Sequence, residues 1–156
     1  MAGKTAMEGM EEVMSNLNKE LREIEGKTTK GYIRASIHVR RQSEPKIPVD
    51  TGNLRSSWFV VSQRGENSKT PSFSGKQASE LHSDHSNVTS SAKREVKKFK
   101  HPAVLFGFTA NYAALVHEKV DDASFRRPGA QARFLFSTLS EEANRILEII
   151  RENAKI

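Results

Sequence analysis

Apolar side chains recur at helical spacing through the first 43 residues of the chain. Residues 5–25 carry them three or four positions apart, which places them on one face of an amphipathic helix. These positions are Met7, Met10, Met14, Leu17, Leu21 and Ile24. Gly26 predicts the end of this helix, and residues 28–43 predict a second helix capped by Thr28 or Thr29. We interpret the first stripe as the face of a packed helix, with an independent coiled coil as the alternative. Its methionines also suit a surface that meets a partner.

Two short segments have the composition of β-strands. Residues 54–62 hold the only tryptophan and two valines, and residues 103–109 are almost wholly apolar. Residues 112–118 predict a short helix, and residues 131–154 predict a longer one with a buried apolar stripe. The stripe consists of Leu135, Leu139, Ala143, Ile146, Ile150 and Ala154. The order of elements predicts an α+β fold, with N-terminal helices, a small antiparallel sheet and a C-terminal helix packed on the sheet.

The segment between the two predicted strands is polar. Residues 63–101 are rich in Ser, Lys, His and Asn, and they contain few apolar side chains. Burial of so few apolar groups does not offset the entropy that ordering costs. We therefore predict that residues 63–101 form a mobile polar insertion or a long hairpin loop within a single domain that spans residues 1–156.

The composition narrows the classes of function. The chain of 156 residues contains no cysteine, which excludes disulfides, thiolate metal sites and a cysteine nucleophile. No apolar run reaches the roughly 18 residues of a membrane span, and residues 1–10 have no apolar signal core, so neither a membrane nor a secretion signal is expected. The net charge of +6 favours an acidic partner such as DNA, with simple solubility as an equal alternative. The candidate contacts to DNA or a partner are Arg40, Arg41, Lys93, Arg94, Lys97, Lys98 and Lys100.

Two polar groupings are candidates for chemistry. His82, Asp84 and His85 offer two imidazoles and a carboxylate, but their spacing is not that of a zinc site, and we interpret them as part of a solvated loop. His117 and Glu118 are adjacent on a predicted helix, so their side chains are expected to point in different directions. The sequence has no nucleophile elbow and no phosphate-binding loop. We expect no catalytic residue, no cofactor, no bound metal and no enzymatic activity.

Three short segments occur in an informative order. Residues 47–58 are Ile-Pro-Val-Asp-Thr-Gly-Asn-Leu-Arg-Ser-Ser-Trp, residues 111–118 are Asn-Tyr-Ala-Ala-Leu-Val-His-Glu, and residues 130–139 are Ala-Gln-Ala-Arg-Phe-Leu-Phe-Ser-Thr-Leu. They resemble the Pro-Val-Asp-Thr-Gly-x-Leu-Arg-x-Ser, Tyr-Ala-x-x-Val-His-Glu and Lys-Phe-Leu-x-x-Ala-Leu segments of the tailed-phage neck, or tail-completion, proteins. The matching residues, which we interpret as fold-defining, are Pro48, Asp50, Thr51, Gly52, Leu54, Arg55, Tyr112, His117, Glu118, Phe134 and Leu135.

The resemblance covers residues 28–155 apart from the polar segment 63–101, which is longer than is usual in this family. Ala132 and Arg133 also stand where prolines often precede the phenylalanine. The resemblance implies an α+β fold and a homo-oligomeric ring at the junction of head and tail, with DNA passing through its lumen without sequence-specific contacts. It implies neighbours in the particle, namely the portal or head-completion adaptor and the tail terminator. It also implies a virion component, assembled in the host cytoplasm, without enzymatic activity.

Two other classes of function are weighed against this one. The net positive charge alone favours a basic module that binds nucleic acid without sequence preference. A metal-dependent hydrolase built on the histidines is a more distant hypothesis. Salt-sensitive binding of DNA by a monomer would favour the nucleic-acid-binding module. A metal bound at His82 and His85 would favour the hydrolase.

Overall fold

The computed structural model describes residues 6–65, 68–118 and 125–155. Their helices and strands confirm the predicted α+β class. In chain order the elements are α1 (Ala6–Ser43), a 3-10 turn (Glu44–Lys46), α2 (Asn53–Ser56), β1 (Trp58–Ser62), α3 (Ala78–Val96), β2 (Val104–Phe108), α4 (Ala113–Glu118), α5 (Phe134–Glu141) and α6 (Ala143–Ala154). None of the helices in these residues has the length and apolarity that a membrane span requires.

The N-terminal region is one helix, so the predicted break at Gly26 is wrong. The hydroxyl of Thr28 donates to the carbonyl oxygen of Ile24 at 2.9 Å, and that of Thr29 donates to Glu25 at 2.8 Å. Each threonine therefore bonds back to the preceding turn of the same helix and does not cap a new one. A glycine inside a helix lowers stability by only about 1 kcal/mol relative to alanine. The helix therefore continues through Gly26.

The two predicted strands exist and pair antiparallel, with Trp58 opposite Phe108 and Ser62 opposite Val104. β1 begins four residues later than predicted, because the preceding residues form the single turn of α2. Residues of β1 alternate between two covered faces: Phe59 and Val61 pack against α3, while α1 lies against the sheet as well. The whole of β1 is consequently buried.

A helix occupies half of the polar segment 63–101, so the prediction of an irregular loop is wrong over the 19 residues of α3. The segment joins two paired strands, as predicted, but α3 packs on the sheet through buried Val96. His85 and Thr89 are also buried on this face. Their hydrogen bonds make burial possible where apolar side chains are few, and mobility stays a prediction only for the flanking parts of the segment.

The C-terminal region is divided at Glu142 into α5 and α6. α5 meets the sheet through Phe134, whose ring centroid lies 5.6 Å from that of Phe108. α6 instead packs along α1, and a Cβ built on Gly31 would lie only 3.1 Å from the carbonyl oxygen of Ile150. The predicted stripe is therefore wrong in part: Leu139 and Ala143 are exposed, whereas Leu135, Ile146, Ile150 and Ala154 are partly buried.

Candidate functional site

The three segments that carry the family resemblance meet in one apolar core. Ile47 and Leu54 from the first segment are buried against Phe134 from the third. Tyr112 and Val116 from the second segment pack on the same cluster, together with Leu135. Segments that are distant in the sequence thus depend on one another for burial, which explains structurally why these residue types occur together.

The turn within residues 47–58 borders an open cavity of about 290 Å³. Its lining residues are Pro48, Val49, Asp50, Gly52, Leu54, Tyr112, Val116, Phe125 and Arg126. Gly52, the residue just before α2, has a φ of 85°, a conformation that favours glycine. The backbone N–H of Asn53 donates to the Thr51 hydroxyl at 3.5 Å, so a side chain of the turn bonds to the turn's own backbone. Asp50 instead lies 3.6 Å from Arg126 at an exposed site.

Arg127 fastens this turn to the end of α1. Its Nη1 donates to the carbonyl oxygens of Glu44 at 2.8 Å and of Ile47 at 3.3 Å. Arg55 from the turn forms an ion pair with the Glu44 carboxylate. The role of Arg127 is not visible in the sequence, because it depends on a contact between residues about 80 positions apart.

His117 and Glu118 are in contact, so the expectation that they point apart is wrong. Nδ1 of His117 lies 2.7 Å from Oε1 of Glu118 at the C-terminal end of α4. The backbone N–H of Phe136 donates to His117 Nε2 at 3.4 Å, and that of Arg133 donates to the His117 carbonyl oxygen at 2.6 Å. His117 therefore connects α4 to the start of α5, a structural role that accounts for both of its ring nitrogens.

The two histidines of α3 have different surroundings. Groups of three or more metal-binding side chains are absent from the part of the chain that is described. His85 is buried and bonds to Thr109, whereas His82 is exposed with its ring 5.2 Å from that of Phe73. The side chain of Asp84 lies outside the described residues.

The basic candidate residues are separated into two groups. Arg40 lies 6.0 Å from the ring of Phe108 and donates to the carbonyl oxygen of Arg55 at 2.8 Å, so its guanidinium is engaged in the fold and only Arg41 is exposed at this end. The second group lies in residues 93–100, shortly before the first residue of β2, whereas Arg40 lies near Phe108, the last residue of β2. The exposed side chains of this second group are Lys93, Arg94, Lys97, Lys98 and Lys100. Lys98 pairs with Glu95 at 2.7 Å, and Arg94 donates to Ser91 at 3.4 Å.

The first half of α1 is exposed to solvent along its length. Residues 10–23, which we call the arm, are exposed on every face. Its apolar stripe runs from Met10, 68% exposed, to Leu21, 48% exposed, and includes Val13, Met14 and Leu17. The predicted stripe thus exists, and the rest of the described chain does not cover it.

Ion pairs at the surface account for the shifted pKa values of two groups. Lys27, 2.9 Å from Glu23, lowers the pKa of that carboxyl below its ordinary value. Glu148 raises the pKa of the Arg145 guanidinium through a hydrogen bond and its charge. Both groups are exposed on helices and neither lines the cavity beside the 47–58 turn, so these shifts mark surface pairs rather than a reactive centre.

No protein-family model, curated protein or solved structure matches this chain. The resemblance to the phage neck proteins therefore depends on the three sequence segments alone.

Proposed function

We propose that the chain is a structural protein of the phage neck or tail, which assembles into a homo-oligomeric ring around the DNA channel and joins head to tail. The observation that carries the proposal is the arm. An apolar stripe about 15 Å long on a fully exposed helix is rimmed by charged side chains, which is typical of a surface that meets another protein. The methionines on it suit such a surface because their side chains adapt to a partner.

The sheet supports the proposal independently. Lys69 exchanges hydrogen bonds with Val60 at 2.8 and 2.9 Å along one edge of β1, whereas no strand lies beside the outer edge of β2 among the described residues. A two-stranded sheet is marginal by itself, and an open edge invites a strand from another subunit. A head-to-tail contact that closes on rotation gives a ring.

The remaining parts of the proposal follow from the family resemblance and from charge. The neighbours of the ring are the portal or head-completion adaptor on one side and the tail terminator on the other, within a virion assembled in the host cytoplasm. The net charge of +6 suits a lumen through which DNA passes without sequence-specific contacts. In this role the protein performs no catalysis and holds no cofactor.

Substitution on the arm tests the proposal. Met14→Glu with Leu17→Glu places charges on the stripe without touching the core, so the helical circular dichroism spectrum and the unfolding midpoint should stay unchanged. Self-association should be lost, and virions produced with this variant should accumulate as separate heads and tails. Leu147→Glu is the matched control, since Leu147 is 58% exposed on α6. Normal joining of heads to tails by the arm variant would contradict a role of the arm in assembly and remove the observation that carries the proposal.

A basic module that binds nucleic acid is the second candidate, favoured by the exposed side chains of Lys93, Lys97 and Lys100. It predicts that the monomer binds duplex DNA with an affinity that falls steeply as salt is raised, by a slope of about 0.9 per phosphate contact. Lys93→Ala with Lys100→Ala should then flatten this dependence. Tight binding by the monomer at physiological salt, combined with unchanged assembly of the arm variant, would favour this candidate.

A further inference from the structure

The arm and the end of α3 carry opposite charges. Within residues 10–23 there are four glutamates against one lysine and one arginine. The segment 93–100, which we call the basic end, has five lysines and arginines against Glu95 alone. Phe99, 53% exposed, lies among these basic side chains. The basic end thus offers an apolar group surrounded by positive charge, whereas the arm offers an apolar stripe flanked by negative charge.

Pairing of one arm with another is unfavourable. With Met14 and Leu21 at the a positions of a heptad, Glu20 falls at g and Glu25 at e. In a parallel pair these positions face each other across the interface, where opposite charges are needed for stability. An antiparallel pair brings Glu20 towards its own counterpart. Like charges therefore oppose the symmetric coiled coil in both directions.

The arm also does not reach the basic end of its own chain. Arg64 lies 3.2 Å from Glu25 at the root of the arm, and the adjacent Gln63 donates to the carbonyl oxygen of Phe99 at 2.7 Å. The basic end is therefore close to the point where α1 leaves the rest of the fold. Because α1 is a continuous helix, the arm extends away from this point and cannot turn back onto it.

We propose that the arm of one subunit docks on the basic end of the next subunit. The stripe around Met14 and Leu17 covers Phe99 of the neighbouring copy, and Glu11 and Glu20 lie beside its Lys97 and Lys98. The two surfaces differ, so the contact is heterologous and propagates around a closed ring. This inference rests on the proposed ring function, to which it adds the identity of both contacting surfaces.

Crosslinking identifies the contact directly, because the chain contains no cysteine. Two single-cysteine proteins, Met14→Cys and Phe99→Cys, are mixed at high concentration and treated with a short bis-maleimide. The expected product is a heterodimer that joins the two variants, whereas each variant alone stays uncrosslinked. Crosslinking of Met14→Cys to itself would show arm–arm pairing and overturn the proposal, as would the absence of any crosslinked dimer.

Charge exchange supplies the second measurement, by sedimentation over a wide range of concentrations. Lys97→Glu with Lys98→Glu should weaken self-association at least about tenfold, and adding Glu11→Lys with Glu20→Lys should restore it. Lys30→Glu with Lys76→Glu makes the same change of charge at other exposed positions and should have no effect.

The outcomes separate this inference from the proposed function. Wild-type self-association that is insensitive to the reversal at Lys97 and Lys98 overturns the docking and leaves a ring formed through another surface. A wild-type chain that stays monomeric at every concentration also overturns the docking. If the charge reversal at Lys97 and Lys98 weakens only DNA binding, the docking is also overturned, and a nucleic-acid role for the basic end is favoured. The ring itself is decided by the position of the chain in the virion.

Discussion

Nδ1 of His85 lies 2.6 Å from the hydroxyl oxygen of Thr109, and this hydroxyl donates its only hydrogen to the carbonyl oxygen of Ser57 at 3.0 Å. The Thr109 oxygen therefore accepts from His85, which fixes the tautomer with hydrogen on Nδ1. All three residues are buried. This chain of hydrogen bonds connects α3 to the residues that precede β1 and follow β2, so a polar contact holds the helix on the sheet.

The two histidines of α3 should consequently differ in their effect on stability. His85→Ala leaves the Thr109 oxygen without its donor and removes a ring that lies 4.7 Å from that of Phe73, so it should lower the free energy of unfolding by about 1–3 kcal/mol. His82→Ala, on the exposed face of the same helix, should change it by less than about 0.5 kcal/mol. Urea denaturation measures both values. Equal effects of the two substitutions would show that the His85 contact does not hold α3 on the sheet.

The sequence predicted elements whose signals are local. The apolar character of the residues around Val60 and Phe106 was sufficient to place both strands, and the spacing from Met10 to Leu21 was sufficient to place the stripe on α1. α3 was missed because its buried face includes His85 and Thr89, which count as polar in any pattern. Their burial depends on partners that lie elsewhere in the chain and are not visible from local composition.

The candidate site was predictable to a similar extent. The residues of the 47–58 turn and Phe134 were identified from short segments, and the structure joins them in one core. The contacts of Arg40 with Arg55 and Phe108 were not visible in the sequence, because they are formed only by the tertiary fold. Helical periodicity predicted the apolar face of the arm, but it does not show whether the same chain or a partner covers that face.

Two glycines should respond to alanine in opposite directions. Gly52 has φ of 85° with open space around its Cβ position, so Gly52→Ala should destabilise the fold by about 1–2 kcal/mol through backbone strain alone. Gly26 is interior to α1, where an added Cβ would have only an ordinary contact with Arg64 at 3.7 Å. Gly26→Ala should therefore stabilise by about 0.5–1 kcal/mol. Thermal unfolding monitored by circular dichroism gives both signs, and destabilisation by Gly26→Ala would contradict a continuous α1.

Substitution of the adjacent Arg126 and Arg127 should have different effects on the free energy of unfolding, because only Arg127 bonds to the backbone of the fold. Arg127→Ala removes the donor to the carbonyl oxygens of Glu44 and Ile47 and should lower the free energy of unfolding by about 1–2 kcal/mol. Arg126→Ala removes a side chain that is 90% exposed and 3.6 Å from Asp50, so its effect should stay below about 0.5 kcal/mol. Chemical denaturation of the two variants is the measurement, and a larger loss for Arg126→Ala would show that Arg127 does not fasten the turn to α1.

The position of the chain in an electron-microscopy map of the virion tests the central claim most directly. We predict several copies related by rotation about the tail axis, forming a ring around the DNA between head and tail. Density for residues 10–23 of each copy should lie against residues 93–100 of the next. A single copy, or copies that no rotation about the tail axis relates, would contradict the account.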